Sequence, residues 1–289
     1  GGAAAPRAVP VVLVSARLAP ERLARYRRLA GLYGPMLRTL AAVGAADRTE
    51  AERFASLGVP KAALCVTGNL KFEIGGPSPD AAVLRQRFDV AQGRPIVVAG
   101  STGPGEDPLV LDAYENVKRA HPDLALVLAP RHPSRFAAAA AETERRGLRI
   151  ARLSRHEPLS GADVLLVDAI GQLAALYQLG RAAFVGGSLV PVGGHNLLEP
   201  VAAGVPVLFG PHTGHVAEMA AALVASGAGE LVGDAGGLAR SWRALVEDGA
   251  ERGRRVAIGR QMLDAHRGAL ERTVDLVRDI LLRGADPSR

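Results

Sequence analysis

Apolar residues are distributed along the chain in two patterns. Short runs rich in apolar and β-branched residues lie at Val9 to Val14, Ala63 to Thr67, Ile96 to Gly100, Ala125 to Leu128, Arg149 to Leu153, Val164 to Val167, Ala183 to Val185, Val205 to Phe209 and Glu230 to Val232. A strand that is apolar throughout, and not alternating, is one buried on both faces, as in a parallel sheet. Longer segments of helical composition lie between them: Pro20 to Ala42, Thr49 to Leu57, Pro79 to Phe88, Glu106 to Ala120, Ser134 to Arg146, Gly171 to Leu179, Asn196 to Ala203, His215 to Ser226, Gly237 to Glu247, and a last region from about Ala250 to Leu282. Strands alternating with helices predict an α/β doubly wound sheet with right-handed crossovers.

Gly75-Gly76-Pro77-Ser78-Pro79 reads as a connector. Seven of the predicted strands follow it, enough for one complete Rossmann-like domain. The two strands before it suffice only for the remnant of a second. The expected division is a remnant over 1–68, a linker over 69–79, a Rossmann-like domain over 80–249 and a helical segment over 250–289. The chain opens Gly-Gly-Ala-Ala-Ala-Pro, without methionine, and enters a strand at once. It therefore reads as a chain entered partway through a domain.

Composition narrows the picture. The 289 residues are 48% hydrophobic with a net charge of +6, which excludes intrinsic disorder as the main state. Cys65 is the sole cysteine, which excludes an intrachain disulfide and a cysteine-based zinc site. No apolar run approaches the roughly 20 residues of a membrane-spanning helix. The pI of about 10.1 arises from arginine, with only Lys61, Lys71 and Lys118 as lysines. Such a surface suits phosphates or an anionic membrane face. Scattered arginines without a stripe of aromatics argue against nucleic acid.

Five segments carry candidate chemistry, each at the end of a predicted strand. In Val185 to Pro200, two Gly-Gly pairs precede a helix predicted from Asn196. Gly193 and Gly194 let the backbone approach a ligand, and the helix start favours an anion. His195 offers a ring nitrogen to a phosphate or sugar oxygen. Glu199 offers a carboxylate to ribose hydroxyls, or else closes a capping box with Asn196. In Val98 to Asp107, Ser101 and Thr102 form a phosphate-sized nest or cap a helix. In Leu128 to Pro133, Arg131 offers a guanidinium to clamp a phosphate bidentately, or else makes a surface ion pair. In Val66 to Phe72, Asn69 and Lys71 lie at the seam. In Asp168 to Leu173, Asp168 caps a helix, and Gly171 and Gln172 face a base or sugar. His212 and His215 lack the carboxylate spacing of a metal site, so neither a metal nor a cofactor is expected.

In order along the chain, these segments resemble the 3-deoxy-D-manno-octulosonic acid (Kdo) transferase family of lipopolysaccharide assembly. The resemblance rests on Gly68-Asn-Leu-Lys-Phe72, Gly100-Ser-Thr-x-x-Gly-Glu106, Pro130-Arg-His-Pro133, Asp168 to Leu173, Phe184 to Pro200 and Phe209-Gly-Pro-His-Thr213. It reaches back over Pro10 to Leu18 and Tyr26 to Arg28. It implies the GT-B architecture, two Rossmann-like domains, and transfer of Kdo from CMP-Kdo to lipid IVA at the cytoplasmic face of the inner membrane. It assigns donor contacts to Asn69, Lys71, Ser101, Thr102, Arg131, Gly171, Gly193, Gly194, His195, Asn196 and Glu199. Gly103 stands where the family usually has His, and Gln172 where it usually has Glu. The family's general base lies in an N-terminal half with no counterpart here, so the chain reads as the donor half, weak or inactive alone. The alternatives are a GT-B enzyme using a UDP-sugar and a non-catalytic nucleotide-binding module.

Overall fold

A strand covered by helices on both faces has no polar side to show, and the unbroken apolar runs fold accordingly. The structure is a computed structural model and describes residues 9–18, 20–72, 80–265 and 267–284. Its strands are β1 (Val12–Ala16), β2 (Ala42–Ala45), β3 (Leu64–Val66), β4 (Ile96–Thr102), β5 (Ala125–Pro130), β6 (Ile150–Arg152), β7 (Val164–Leu166), β8 (Ala182–Val185), β9 (Val207–Phe209) and β10 (Gly229–Leu231). Its helices are α1 (Pro20–Arg28), α2 (Ala30–Arg38), α3 (Arg48–Ser56), α4 (Ala81–Arg87), α5 (Glu106–Ala120), α6 (Phe136–Arg145), α7 (Leu173–Leu176), α8 (Leu198–Ala202), α9 (Ala217–Ser226), α10 (Ala235–Glu247), α11 (Gly249–Asp264) and α12 (Ala269–Gly284). The chain divides into two units, residues 1–73 with 263–289, and residues 74–262. Of the linker expected over 69–79, residues 73–79 lie outside the described residues.

In the first unit a parallel sheet has the order β1-β2-β3. Ala16, Val43, Phe54 and Val59 form its core. Asp47 caps α3 by accepting from the Glu50 amide at 2.8 Å. The helix expected over Pro20 to Ala42 is instead two helices ending at Arg38, and β2 follows. Crowding explains why β2 escapes the sequence pattern. A β-carbon at Gly44 would lie 2.7 Å from Thr67 Oγ1 and 3.3 Å from Leu276 of α12. The central strand must be built from small residues, and Val43 is its sole β-branched one. The segment set at 250–289 also divides. α12 packs on β2 in the first unit, whereas α11 places Gly259 against Val201 of α8 in the second.

The second unit holds a seven-stranded sheet, every neighbouring pair parallel, in the order β10-β9-β8-β4-β5-β7-β6. β5, β7, β8 and β9 are buried along their full lengths. Side by side, α5 over β4 and β5 and α10 over β8 contribute Leu111, Tyr114, Val117, Leu238 and Trp242 to the core. Each such side chain contributes roughly 1.5–3 kcal/mol by leaving water. No helix among the described residues is long and apolar enough to cross a membrane.

Just before β7, Asp163 is 6% exposed. It accepts from the Arg149 amide at 2.9 Å and from Arg149 Nε at 3.0 Å, and pairs with Lys118 Nζ at 3.0 Å. Burial opposes its charge, yet the bonds from Arg149 and Lys118 prevail and hold its pKa below the usual 3.8. A depressed folded-state pKa contributes stability above the unfolded value and loses it as pH falls through the folded one. Asp163→Asn is expected to cost about 2–3 kcal/mol at neutral pH. Urea titrations of both proteins at successive pH values should show the difference shrinking once pH drops below about 4.

Candidate functional site

Because the second sheet is wholly parallel, the carboxyl ends of its strands share one edge. The loops after β4, β5, β7, β8 and β9 therefore lie along that edge. The chain leaves β4 toward β5 on one side and later returns to β8 on the other. Such a reversal opens a crevice between the loops that follow the two strands.

These two loops touch closely. A β-carbon at Gly186 would lie 2.5 Å from Thr102 Cα and 2.7 Å from Glu106 Oε2, so only glycine fits. Glu106, in the first turn of α5, is fully buried. Its Oε2 accepts from the amides of Gly103 and Gly187, each at 2.6 Å. Its Oε1 accepts from the amides of Ser188 at 3.0 Å and Leu189 at 2.8 Å. The amides of Gly187, Ser188 and Leu189 after β8 thus already hold the protein's own carboxylate, while the Gly186 amide donates to the Gly100 carbonyl at 2.8 Å. Ser188 extends the lattice sideways. Its hydroxyl accepts from the Gly210 amide at 2.8 Å, and its carbonyl accepts from the His212 amide at 2.9 Å.

The Ser101–Thr102 nest is also altered. Thr102 is buried, and its hydroxyl donates to Asp107 Oδ1 at 2.6 Å, so it does not face a ligand. The Thr102 carbonyl accepts from the Arg131 amide at 3.1 Å and from Arg135 Nη1 at 2.6 Å. Arg135 Nη2 also pairs with Asp107 Oδ2. Burial pushes the Asp107 pKa up, while Thr102 and Arg135 oppose the rise. This cluster fixes the loop that carries Arg131. Ser101 is half-buried, with φ of 55°.

Arg131 is exposed, and its guanidinium makes no hydrogen bond or ion pair among the described residues. Its charge acts on both His195 and Glu199. His195 is half-buried, and its Nε2 is buried without a partner among the described residues. Burial, then the nearby Arg131, lowers its pKa. Glu199 is half-buried, and burial raises its pKa against the pull of Asn196 and Arg131. Gly193 and Gly194 have φ of 109° and 81°, and the His215 amide donates to the Gly193 carbonyl at 2.8 Å. The helix expected from Asn196 begins at Leu198 and is five residues long, too short for the expected anion site at its start. Asn196 makes a local turn instead, accepting from the Leu198 amide at 3.1 Å and donating to Glu199 Oε1 at 3.3 Å.

After β7, Asp168 does not cap the next helix; it accepts from the Ser154 amide at 2.8 Å and the Ser154 hydroxyl at 2.7 Å. Gly171 is exposed with φ of 80°. Asn69 and Lys71 belong to the first unit, where Asn69 is buried and its Oδ1 accepts from the Lys71 amide at 3.1 Å. Sequence reasoning gave no role to Glu106, Asp107, Arg135 or Tyr177. The available signal was a pair of acids opening a helix directly after a glycine-rich loop. Tyr177 is fully buried, and a β-carbon at Gly100 would lie 2.0 Å from its hydroxyl.

Residues 2–74 match the family described as 3-Deoxy-D-manno-octulosonic-acid transferase (kdotransferase). The chain is 36% identical over 283 residues to the 3-deoxy-D-manno-octulosonic acid transferase of Haemophilus influenzae, a match covering 96% of this chain and 66% of that protein. It is 37% identical over 291 residues to the same-named protein of Bordetella pertussis, with coverages of 96% and 66%. The chain thus spans about two thirds of the length of these relatives. Among solved structures it is similar to the C-terminal CMP-Kdo binding domain of WaaA from Acinetobacter baumannii, with a TM-score of 0.60 and 29% identity over 63% of this chain and 95% of that one. Anabaena HepE in complex with UDP-glucose shares the fold at 18% identity, with a TM-score of 0.51 over 94% of this chain and 72% of that one.

Arg131→Ala removes a cation that lowers the pKa of both neighbours. His195 should then titrate closer to the usual 6.5, and Glu199 higher than in the unaltered chain. NMR titration of labelled histidine and glutamate side chains checks both shifts. Two unmoved curves would separate Arg131 from this rim.

Proposed function

The chain belongs to the Kdo transferase family, and from that membership we propose that its second unit binds the nucleotide of CMP-Kdo for transfer of Kdo to lipid IVA. Its fold is α/β of the GT-B type. The observation that carries the reading is the unpaired Arg131 guanidinium, held by the Thr102–Asp107–Arg135 cluster on the rim it shares with His195 and Glu199.

CMP-Kdo brings one phosphate and one carboxylate, and a planar guanidinium meets either with two parallel hydrogen bonds. In this reading Arg131 takes the phosphate and offsets the charge that grows on CMP as the glycosidic bond breaks. Glu199 accepts from the ribose hydroxyls, as acidic residues do in dinucleotide folds. His195, neutral at neutral pH because burial and Arg131 disfavour its charge, presents Nε2 to a donor oxygen. Ser101, Gly171, Gly193, Gly194 and Asn196 line the same edge. Thr102 acts from beneath by anchoring the Arg131 loop. The acceptor, a lipid carrying phosphates, is met at the cytoplasmic face of the bacterial inner membrane, where the protein associates peripherally. A strongly basic chain suits such a surface.

Calorimetric titration with CMP tests the proposal. Arg131→Ala should weaken binding about tenfold or more, the scale of a lost charge-assisted bond. Glu199→Ala should weaken it about fivefold or more. UDP should bind less tightly than CMP. Equal affinity in the unaltered chain and both variants would remove the site, and preference for UDP would redirect it to a UDP-sugar.

A further inference from the structure

We propose that Glu106 sets the phosphate count of the nucleotide, admitting a nucleoside monophosphate and opposing a diphosphate. This rests on the CMP reading above and goes beyond it by naming the residue that selects. In sheets that bind a pyrophosphate, the helix following the first strand points its free amides at the phosphates, aided by glycine-rich backbone. In the second sheet β4 is the first strand, and α5 is that helix, 15 residues long. Here a carboxylate stands at that helix start: Glu106, the first residue of α5, accepts from the amides of Gly103 in the loop before it and of Gly187, Ser188 and Leu189 across the crevice. Asp107, next to it, is held by Arg135 and Thr102.

This fixed charge lies directly beneath the rim. Gly187 donates its amide to Glu106 Oε2 at 2.6 Å, and a β-carbon on the same Gly187 would lie 2.9 Å from His195 Nε2. One residue, Gly187, therefore separates the buried carboxylate from the His195 ring. The rim attracts an anion through Arg131, a side-chain cation suited to one phosphate. A second phosphate would meet a carboxylate whose amide partners are already taken. Its Coulomb repulsion acts through poorly polarisable protein and is weakly screened by salt.

The test compares CMP, its methyl phosphate ester and CDP by calorimetry on the unaltered chain and on Glu106→Gln. The ester adds bulk at the phosphate without a second phosphate charge. Expected for the unaltered chain are affinities for CMP and the ester within about threefold of each other, and about tenfold or more weaker binding of CDP. In Glu106→Gln, shown to be folded by circular dichroism, the gap between CMP and CDP should fall below about threefold. Three results each overturn the proposal: equal CMP and CDP affinity in the unaltered chain, an ester as weak as CDP, or an unchanged gap in folded Glu106→Gln. If the variant does not fold, the three nucleotides on the unaltered chain still decide between charge and bulk. Failure of CMP itself to bind overturns the donor reading, a result distinct from CMP binding without discrimination.

Discussion

Four backbone N–H groups converge on the Glu106 carboxylate, and the geometry of the candidate site follows from that convergence. A carboxylate taken wholly out of water is tolerated only when its lone pairs are filled by donors. Gly103, Gly187, Ser188 and Leu189 supply those donors from two loops that are more than 80 residues apart in sequence. The bond set thereby ties the start of α5 to the turn after β8 across the switch point of the sheet. Ser188 then passes the constraint to the turn after β9 through Gly210 and His212. Three loops that local sequence would leave mobile become one framework.

The acids and bases at this edge have separate tasks. Below the surface, Glu106 and Asp107 are buried and fully engaged, one by amides, the other by Thr102 and Arg135. On the rim, Arg131 is free of partners and His195 Nε2 is unpaired among the described residues. Buried polar groups that are satisfied hold a scaffold; unsatisfied ones beside a crevice are what a ligand can reward. The buried network spends its charges on loop position, so the free cation stands at a defined place on a strand end. Tyr177 completes the floor, its ring tucked under the end of β4 where Gly100 leaves room.

In the first unit the same logic of close approach governs a different feature. β2 lies between β1 and β3, with α12 across it, and its residues are small because the space is taken. α12 reaches this sheet from the far end of the chain, so its apolar side chains find a partner that no local segment supplies.

Much of this protein was legible from residue order alone. Unbroken apolar runs identified the central strands of the second sheet, because burial on both faces leaves no alternation there, whereas the edge strands β6 and β10 carry charged residues and are only partly buried. That Arg131, His195 and Glu199 share one edge was legible because strand ends in a parallel sheet lie together. What a one-dimensional pattern cannot carry is which distant groups meet. Whether an amide faces a ligand or an internal carboxylate depends on the approach of Gly187 to Glu106, and sequence proximity says nothing of that. The same holds for Thr102, whose hydroxyl is engaged by Asp107, a partner that only the folded loop brings to it. β2 escaped notice for the reciprocal reason: its small side chains answer to Thr67 and Leu276, neighbours set by packing. Local order determined the elements and the edge they share; contacts between remote segments decided which polar groups remain free, because hydrogen-bond satisfaction is a property of the folded whole.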